Sequence, residues 1–150
     1  MVKLTINCDG GARGNPGPAG IGILIEKDKQ DNRDNQDNQV KISKHIGTAT
    51  NNQAEYKAVI EALNWIIDHR SQFTDDLEIE FFLDSQLVVE QLNQRYKLKN
   101  EGLKPLFWEI RELIMKIGGR VLFKYIPREE NKEADRLVNE ALDNRKRSTT

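Results

Sequence analysis

Val2-Lys3-Leu4-Thr5-Ile6-Asn7-Cys8-Asp9-Gly10-Gly11-Ala12-Arg13-Gly14-Asn15-Pro16-Gly17-Pro18-Ala19-Gly20-Ile21-Gly22-Ile23-Leu24-Ile25 is the stretch that decides the fold. Val2, Leu4, Ile6 and Cys8 alternate with polar residues, the period of a half-buried strand, and Ile21, Ile23 and Ile25 resume that alternation. Residues 9–20 between them supply glycine- and proline-rich turn chemistry, so the two halves read as a hairpin. Asp9 then falls at the end of the first strand, beside glycines that let a phosphate approach without side-chain obstruction.

Downstream, residues 27–39 contain only Lys, Arg, Asp, Asn and Gln. Such a segment can bury nothing and reads as a long mobile hairpin tip before a third strand near residues 40–46. Thr50 offers an N-cap to a helix running to about residue 69, with Ala54, Ala58, Leu63, Ile66 and Ile67 on its apolar stripe and Glu55 on its flank. Residues 77–83 form a mostly apolar strand suited to a sheet covered on both faces, with Asp84 at its end. Helices follow over 85–94 and 103–117, the second stopped by Gly118-Gly119. A last strand at 120–126, a loop at 127–130 and a closing helix at 131–142, opened by Asp135, complete the chain. Three hairpin-linked strands followed by strand–helix–strand units predict an α/β domain: a mixed five-stranded sheet, three strands antiparallel and two parallel, with helices on both faces.

At 150 residues and 37% hydrophobic content the chain is the size of one domain with a substantial core. The expected domain covers residues 1–143, with the polar insertion at 27–39 and a short basic tail at 144–150. No apolar run is long enough to cross a bilayer, and the N-terminus reads as a strand and not as a secretory signal, so a cytoplasmic protein with no membrane partner is expected. The lone Cys8 sits on the apolar face of the first strand and has no disulfide partner. A net charge of −1 argues against gripping nucleic acid by bulk electrostatics. Local basic groups remain: Arg95, Lys97, Lys99 and Lys104 around Tyr96, and the tail Arg145, Lys146, Arg147.

Asp9, Glu55, Asp84 and Asp135 each occupy the end of a strand or the start of a helix, and in α/β sheets functional groups gather beyond the carboxyl ends of parallel strands. If these four converge they repel one another, raise one another's pKa values and call for divalent cations; hard oxygen ligands suit Mg²⁺ or Mn²⁺. Two such ions about 3.5–4 Å apart clamp the attacking and leaving oxygens of an in-line phosphodiester displacement. Any one of the 24 acidic residues is by default a surface charge, so the constellation carries the argument.

Four segments, residues 8–20 (CDGGARGNPGPAG), 50–56 (TNNQAEY), 83–88 (LDSQLV) and 128–135 (REENKEAD), resemble in order the four motifs of type 1 ribonuclease H across nearly the whole chain. The resemblance implies a ribonuclease H-like fold and an endonuclease that hydrolyses the RNA strand of RNA–DNA hybrids, leaving 5′-phosphate and 3′-hydroxyl ends, with two Mg²⁺ or Mn²⁺ ions per site when substrate is bound. It places the metal-binding tetrad on Asp9, Glu55, Asp84 and Asp135. It implies readout of 2′-hydroxyls by the backbone of Gly10, Gly11, Ala12 and Arg13 and by Asn52, Glu55 and Gln86; contacts to the DNA strand from Asn15 and Asn51; and a DNA-phosphate pocket at Thr50 and Asn100. Hydroxyl readout is the means of telling RNA from DNA.

The chain departs from that pattern twice. Residues 126–130 lack the histidine many members carry there, which makes Arg128 the candidate for assisting product departure and Glu129 or Glu130 candidates for holding a metal transiently. The segment at 94–103 is too short for the extra helix and basic loop of many bacterial members, so the chain resembles the shorter archaeal and retroviral ones, with Lys97, Lys99 and Lys104 replacing part of that handle and duplex RNA as a further substrate. A monomer is expected. Two other readings compete: a transposase or resolvase of the same fold, for which 150 residues leave little room, and a silent hybrid-binding module, for which four acids would oppose phosphate without reward.

Overall fold

The computed structural model describes residues 2–28, 38–73 and 76–148. Strands β1 (Val2–Ala12), β2 (Gly17–Lys27) and β3 (Gln39–Ala49) precede helix α1 (Asn51–Asp68). Strand β4 (Leu77–Leu83), helices α2 (Gln86–Leu92) and α3 (Lys104–Ile117), strand β5 (Arg120–Tyr125) and helix α4 (Lys132–Ser148) follow, with single 3₁₀ turns at Arg70–Gln72 and Arg128–Glu130. The sheet order is β3-β2-β1-β4-β5, antiparallel across β3-β2-β1 and parallel across β1-β4-β5. This is the mixed five-stranded sheet that the hydrophobic pattern predicts.

Period-2 alternation along β1 assigns its faces. Leu4, Ile6 and Cys8 point to the side of α1 and are buried against Ile21, Ile23, Ala58, Leu63 and Ile79. Each large apolar side chain so buried contributes about 1.5–3 kcal/mol. Gly10 continues this face and lies so close to α1 that a Cβ there would sit 2.3 Å from the Ala54 carbonyl. The opposite face receives α4: a Cβ on Gly22 would come 2.1 Å from the Ala134 oxygen. Ser43 Oγ donates to the Leu137 carbonyl at 2.6 Å and Lys41 pairs with Glu133 at 3.2 Å, fastening α4 along β2 and β3. Helices thus cover both faces, α1 with α3 on one and α4 on the other. No helix among the described residues is long and apolar enough to cross a membrane.

Several boundaries differ from the sequence reading. β1 does not stop at Cys8: it continues through Asp9, Gly10 and Gly11 to Ala12, paired with Gly22, Ile21, Gly20 and Ala19. Glycines contribute a backbone N–H and C=O to a ladder like any other residue, and the turn shrinks to residues 13–16. Asp9 is therefore inside β1. It still projects past the parallel part of the sheet, because pairing with β4 ends at Asn7 opposite Phe82. β3 runs on to Ala49 through a bulge opposite Ala19 and Gly20, so Lys27 and Gln39 belong to strands and not to the insertion. Residues 29–37, most of the expected mobile tip, lie outside the described residues. α4 passes residue 142 and continues to Ser148. The basic tail is thus largely helical, although the side chains of Arg145, Lys146 and Arg147, like residues 149 and 150, lie outside the described residues.

Candidate metal centre

Thr50 caps α1 as its sequence requires: its hydroxyl accepts the Gln53 N–H at 3.1 Å while Gln53 Oε1 accepts the Thr50 N–H at 3.0 Å, a reciprocal capping box. That cap sets where the helix begins, and so where Glu55 stands in it. Because Gly10 lets β1 touch the peptide between Ala54 and Glu55, the Glu55 carboxylate reaches back to the Gly10 N–H at 3.1 Å, which also lies 2.9 Å from Asp9 Oδ1. Asp84 follows the last residue of β4, the parallel neighbour of β1. Asp9, Glu55 and Asp84 each bring a carboxylate oxygen within 4.8 Å of the others. Asp135, on the exposed side of the first turn of α4, lies outside this tight set but lines the same open cavity of about 430 Å³.

Burial dominates the electrostatics here. It lifts the Asp9 carboxyl from its ordinary range to about 6; bonding with Glu55 pulls the other way, and the charges of Asp84 and Asp135 add to the rise. Burial also pushes Glu55 well above the normal range, reinforced by its hydrogen bond with Asp9 and by the neighbouring charges. Glu55 Oε2 is buried and has no hydrogen-bond partner in the protein. An all-oxygen donor set, elevated carboxyl pKa values and an orphaned buried oxygen together fit a hard divalent cation of the Mg²⁺ or Mn²⁺ type.

The other sequence candidates divide. Gly10, Gly11, Ala12, Arg13, Asn51 and Asn52 line the cavity, and so does Arg128. Asn15, Thr50, Gln86, Asn100 and Glu129 do not. The N–H groups of Gly10, Ala12 and Arg13 are already donated within the protein, to the carboxylates, to Asn51 Oδ1 at 2.9 Å and to the Pro18 carbonyl at 2.8 Å. Asn15 Oδ1 accepts the Asn51 N–H at 2.9 Å, so these two asparagines join the β1–β2 turn to the start of α1 with their side-chain oxygens. Asn100 Oδ1 holds the Gly102 N–H at 2.8 Å, and Gly102 in turn lies close to Gln53, the residue that completes the Thr50 capping box. Gln86 and Glu129 are exposed on α2 and on the 3₁₀ turn before α4. Lys104 pairs with Glu101 at 2.7 Å.

Sequence reasoning passed over Asn131, which is only 1% exposed and donates to the Asp84 carboxylate at 3.0 Å. An asparagine just ahead of a helix in Arg128-Glu-Glu-Asn-Lys-Glu reads as a cap in a polar turn, and nothing in the local pattern signals its burial. Ser85 and Asn139, also on the cavity wall, were likewise missed.

The family model described as reverse transcriptase-like matches residues 7–141. The bifunctional protein Rv2228c of Mycobacterium tuberculosis is 36% identical over 142 residues, which are 95% of this chain but 36% of that protein. The chain therefore spans about a third of the length of the first curated relatives it matches. The structure of LC11-RNase H1, isolated from compost by a metagenomic approach, superposes with a TM-score of 0.81 at 43% identity, covering 96% of this chain and 98% of the other. LC11-RNase H1 is also known in complex with an RNA/DNA hybrid. RNase H1 of the halophilic archaeon Halobacterium salinarum gives a TM-score of 0.78 at 36% identity, over 95% and 98% of the two chains. Four ordered motifs, one sheet topology and whole-length likeness agree: the chain belongs to the type 1 ribonuclease H family.

Proposed function

We propose that this chain is a metal-dependent endonuclease that hydrolyses the RNA strand of RNA–DNA hybrids, leaving 5′-phosphate and 3′-hydroxyl ends. The observation that carries the reading is the meeting of Asp9, Glu55 and Asp84 oxygens within 4.8 Å at the end of the parallel strands, with one Glu55 oxygen buried and unpartnered. The hybrid complex of the related LC11-RNase H1 supports the substrate class. Asp9, Glu55, Asp84 and Asp135 would hold Mg²⁺ or Mn²⁺, two ions when substrate is bound. Bound ions supply charge neutralisation for the attacking and leaving oxygens of an in-line displacement.

The remaining work falls to the chain itself. Past the end of β4, the even positions of β1 direct their backbone groups toward the cavity. Since the Gly10 and Ala12 N–H groups are spent, a sugar 2′-hydroxyl arriving there meets carbonyl oxygens and donates to them. Asn52, on the cavity wall, adds an amide able both to donate and to accept. Thr50, at the capped start of α1, and Asn100, whose Oδ1 holds the Gly102 N–H, would take a phosphate of the DNA strand, Asn15 would contact the DNA strand and Gln86 a 2′-hydroxyl. Arg128 overlooks the cavity from the turn before α4 and would neutralise the departing phosphate, the task assigned to a histidine in many members. The deciding experiment is incubation with labelled hybrid, duplex RNA and duplex DNA in Mg²⁺, Mn²⁺ or chelator. Metal-dependent cutting of the hybrid's RNA strand is expected, and binding of hybrid without cleavage under every metal condition would refute the enzyme reading.

A further inference from the structure

The carboxamide of Asn131 has a place for each of its strong bonds. Its Nδ2 donates to the Cys8 carbonyl at 2.8 Å and to Asp84 Oδ2 at 3.0 Å, using both protons, while its Oδ1 accepts from Asn7 Nδ2 at 3.2 Å. Turning the amide over would set its oxygen against a carbonyl and a carboxylate, so chemistry fixes its orientation. The side-chain oxygen is spent on Asn7 in β1 and not on an N–H of α4, which distinguishes it from a helix cap. Its backbone carbonyl accepts the Asp135 N–H at 3.1 Å.

Three of these bonds end on, or one peptide from, an acid of the cavity. The Cys8 carbonyl belongs to the peptide that leads into Asp9, Asp84 is bonded directly, and Asp135 hangs from the Asn131 backbone. We propose that Asn131 is the positioning residue of the cation site: it engages Asp84 Oδ2, leaves the other Asp84 oxygen to a divalent ion, and fixes the spacing of β1, β4 and the start of α4. This rests on the reading that the carboxylates bind divalent cations. A residue serving only to fill space would need no donors here, and an apolar side chain of the same size would leave the Cys8 carbonyl and Asp84 facing each other without a bridge. Outer partners that orient metal-binding carboxylates typically govern about 10- to 100-fold in metal affinity or activity.

The test titrates Mn²⁺ into the nucleic-acid-free full chain, reading free ion by electron paramagnetic resonance, alongside a thermal melt and hybrid cleavage as a function of Mn²⁺. Asn131→Ala is expected to weaken Mn²⁺ binding by about 10- to 100-fold, with cleavage recovering in part at high Mn²⁺. Folded Asn131→Ala that binds Mn²⁺ like wild type overturns the proposal even if it melts lower. Should Asn131→Ala not fold, Asn7→Ala decides: it keeps both donated bonds but removes the anchor that ties Asn131 Oδ1 to β1, and Mn²⁺ binding weaker than wild type is expected in protein that still melts cooperatively. Unchanged Mn²⁺ binding in Asn7→Ala would then overturn it. Wild-type protein that binds no Mn²⁺ removes the cation reading and this inference together, whereas wild-type binding unaltered by the variants removes only the role of Asn131.

Discussion

Replacing Gly10 by alanine tests how the site is built without touching any carboxylate. Gly10 has no positive φ, so alanine suits its backbone and the substitution acts through space alone. The added Cβ would sit 2.3 Å from both the carbon and the oxygen of the Ala54 carbonyl and 2.6 Å from the Glu55 nitrogen, where ordinary contact begins near 3.4 Å. These are backbone atoms inside a capped helix and cannot swing aside, so β1 and α1 must part by about 1 Å. That displacement stretches the 3.1 Å bond from the Gly10 N–H to Glu55 and pulls Glu55 away from Asp9 and Asp84. Overpacking of this kind costs about 1–3 kcal/mol, and in a domain of this size each kcal/mol lowers Tm by about 2–4 °C. A misplacement near 1 Å costs about 10²-fold in rate. The assay pairs thermal melts with kcat on a hybrid substrate at saturating Mg²⁺. Gly11→Ala is the control for stability, since its Cβ would meet only Val138 Cγ1 at 3.7 Å and Asn51 Oδ1 at 4.0 Å. If Gly10→Ala melts and turns over like wild type, the close approach of β1 to α1 is not what places Glu55.

Other perturbations probe the charges. Asp9→Asn or Asp84→Asn should reduce hybrid cleavage by more than the about 100-fold typical of outer partners while hybrid binding persists; turnover near wild type would remove either residue from the tetrad. Asp9 and Glu55 titrate higher in the folded protein than unfolded, so the metal-free fold binds extra protons between the ordinary carboxyl range and about 6, and its stability falls as pH rises through that window. Metal-free protein should therefore melt higher at pH 5 than at pH 7.5, and saturating Mg²⁺ should narrow the gap; a melt rising with pH over that interval contradicts the burial argument. The opposite sign applies to Glu133, whose carboxyl Arg136 and Lys41 hold down at about 2, so its contribution disappears only in stronger acid. Arg128→Ala should slow multiple turnover more than a single turnover, and equal steady-state rates would clear Arg128 of a part in product departure.

How far the sequence could be read depended on the range of the forces involved. Alternation in β1, β2 and β4, the Thr50 cap and the stripes of α1 and α3 are local signals, and the elements they imply are present. Asp9, Glu55 and Asp84 each stand in a distinctive local context, and their oxygens meet in the fold. What escaped was set by contacts between distant parts of the chain. β1 extends through Gly10 and Gly11 because β2 continues beside it, information held in Gly20 and Ala19 and not in the glycines themselves. Asn131 became a buried bridge because Cys8, 123 residues earlier, offers it a carbonyl, and no periodicity reports such a pairing. Asn15 and Asn51 illustrate a third limit: the residue type suited both a turn and a nucleic-acid contact, and their side-chain oxygens are used structurally.

The seating of α4 on Gly22 has a consequence for timing. Asp9 is synthesised well before Asp135, yet the two share a cavity only after α4 has docked on β2. A half-made chain, or one whose last helix has peeled away, thus carries its acids apart. Ions that recognise only the assembled group would in turn pull the closing helix home, making hydrolytic competence and completion of the fold a single event.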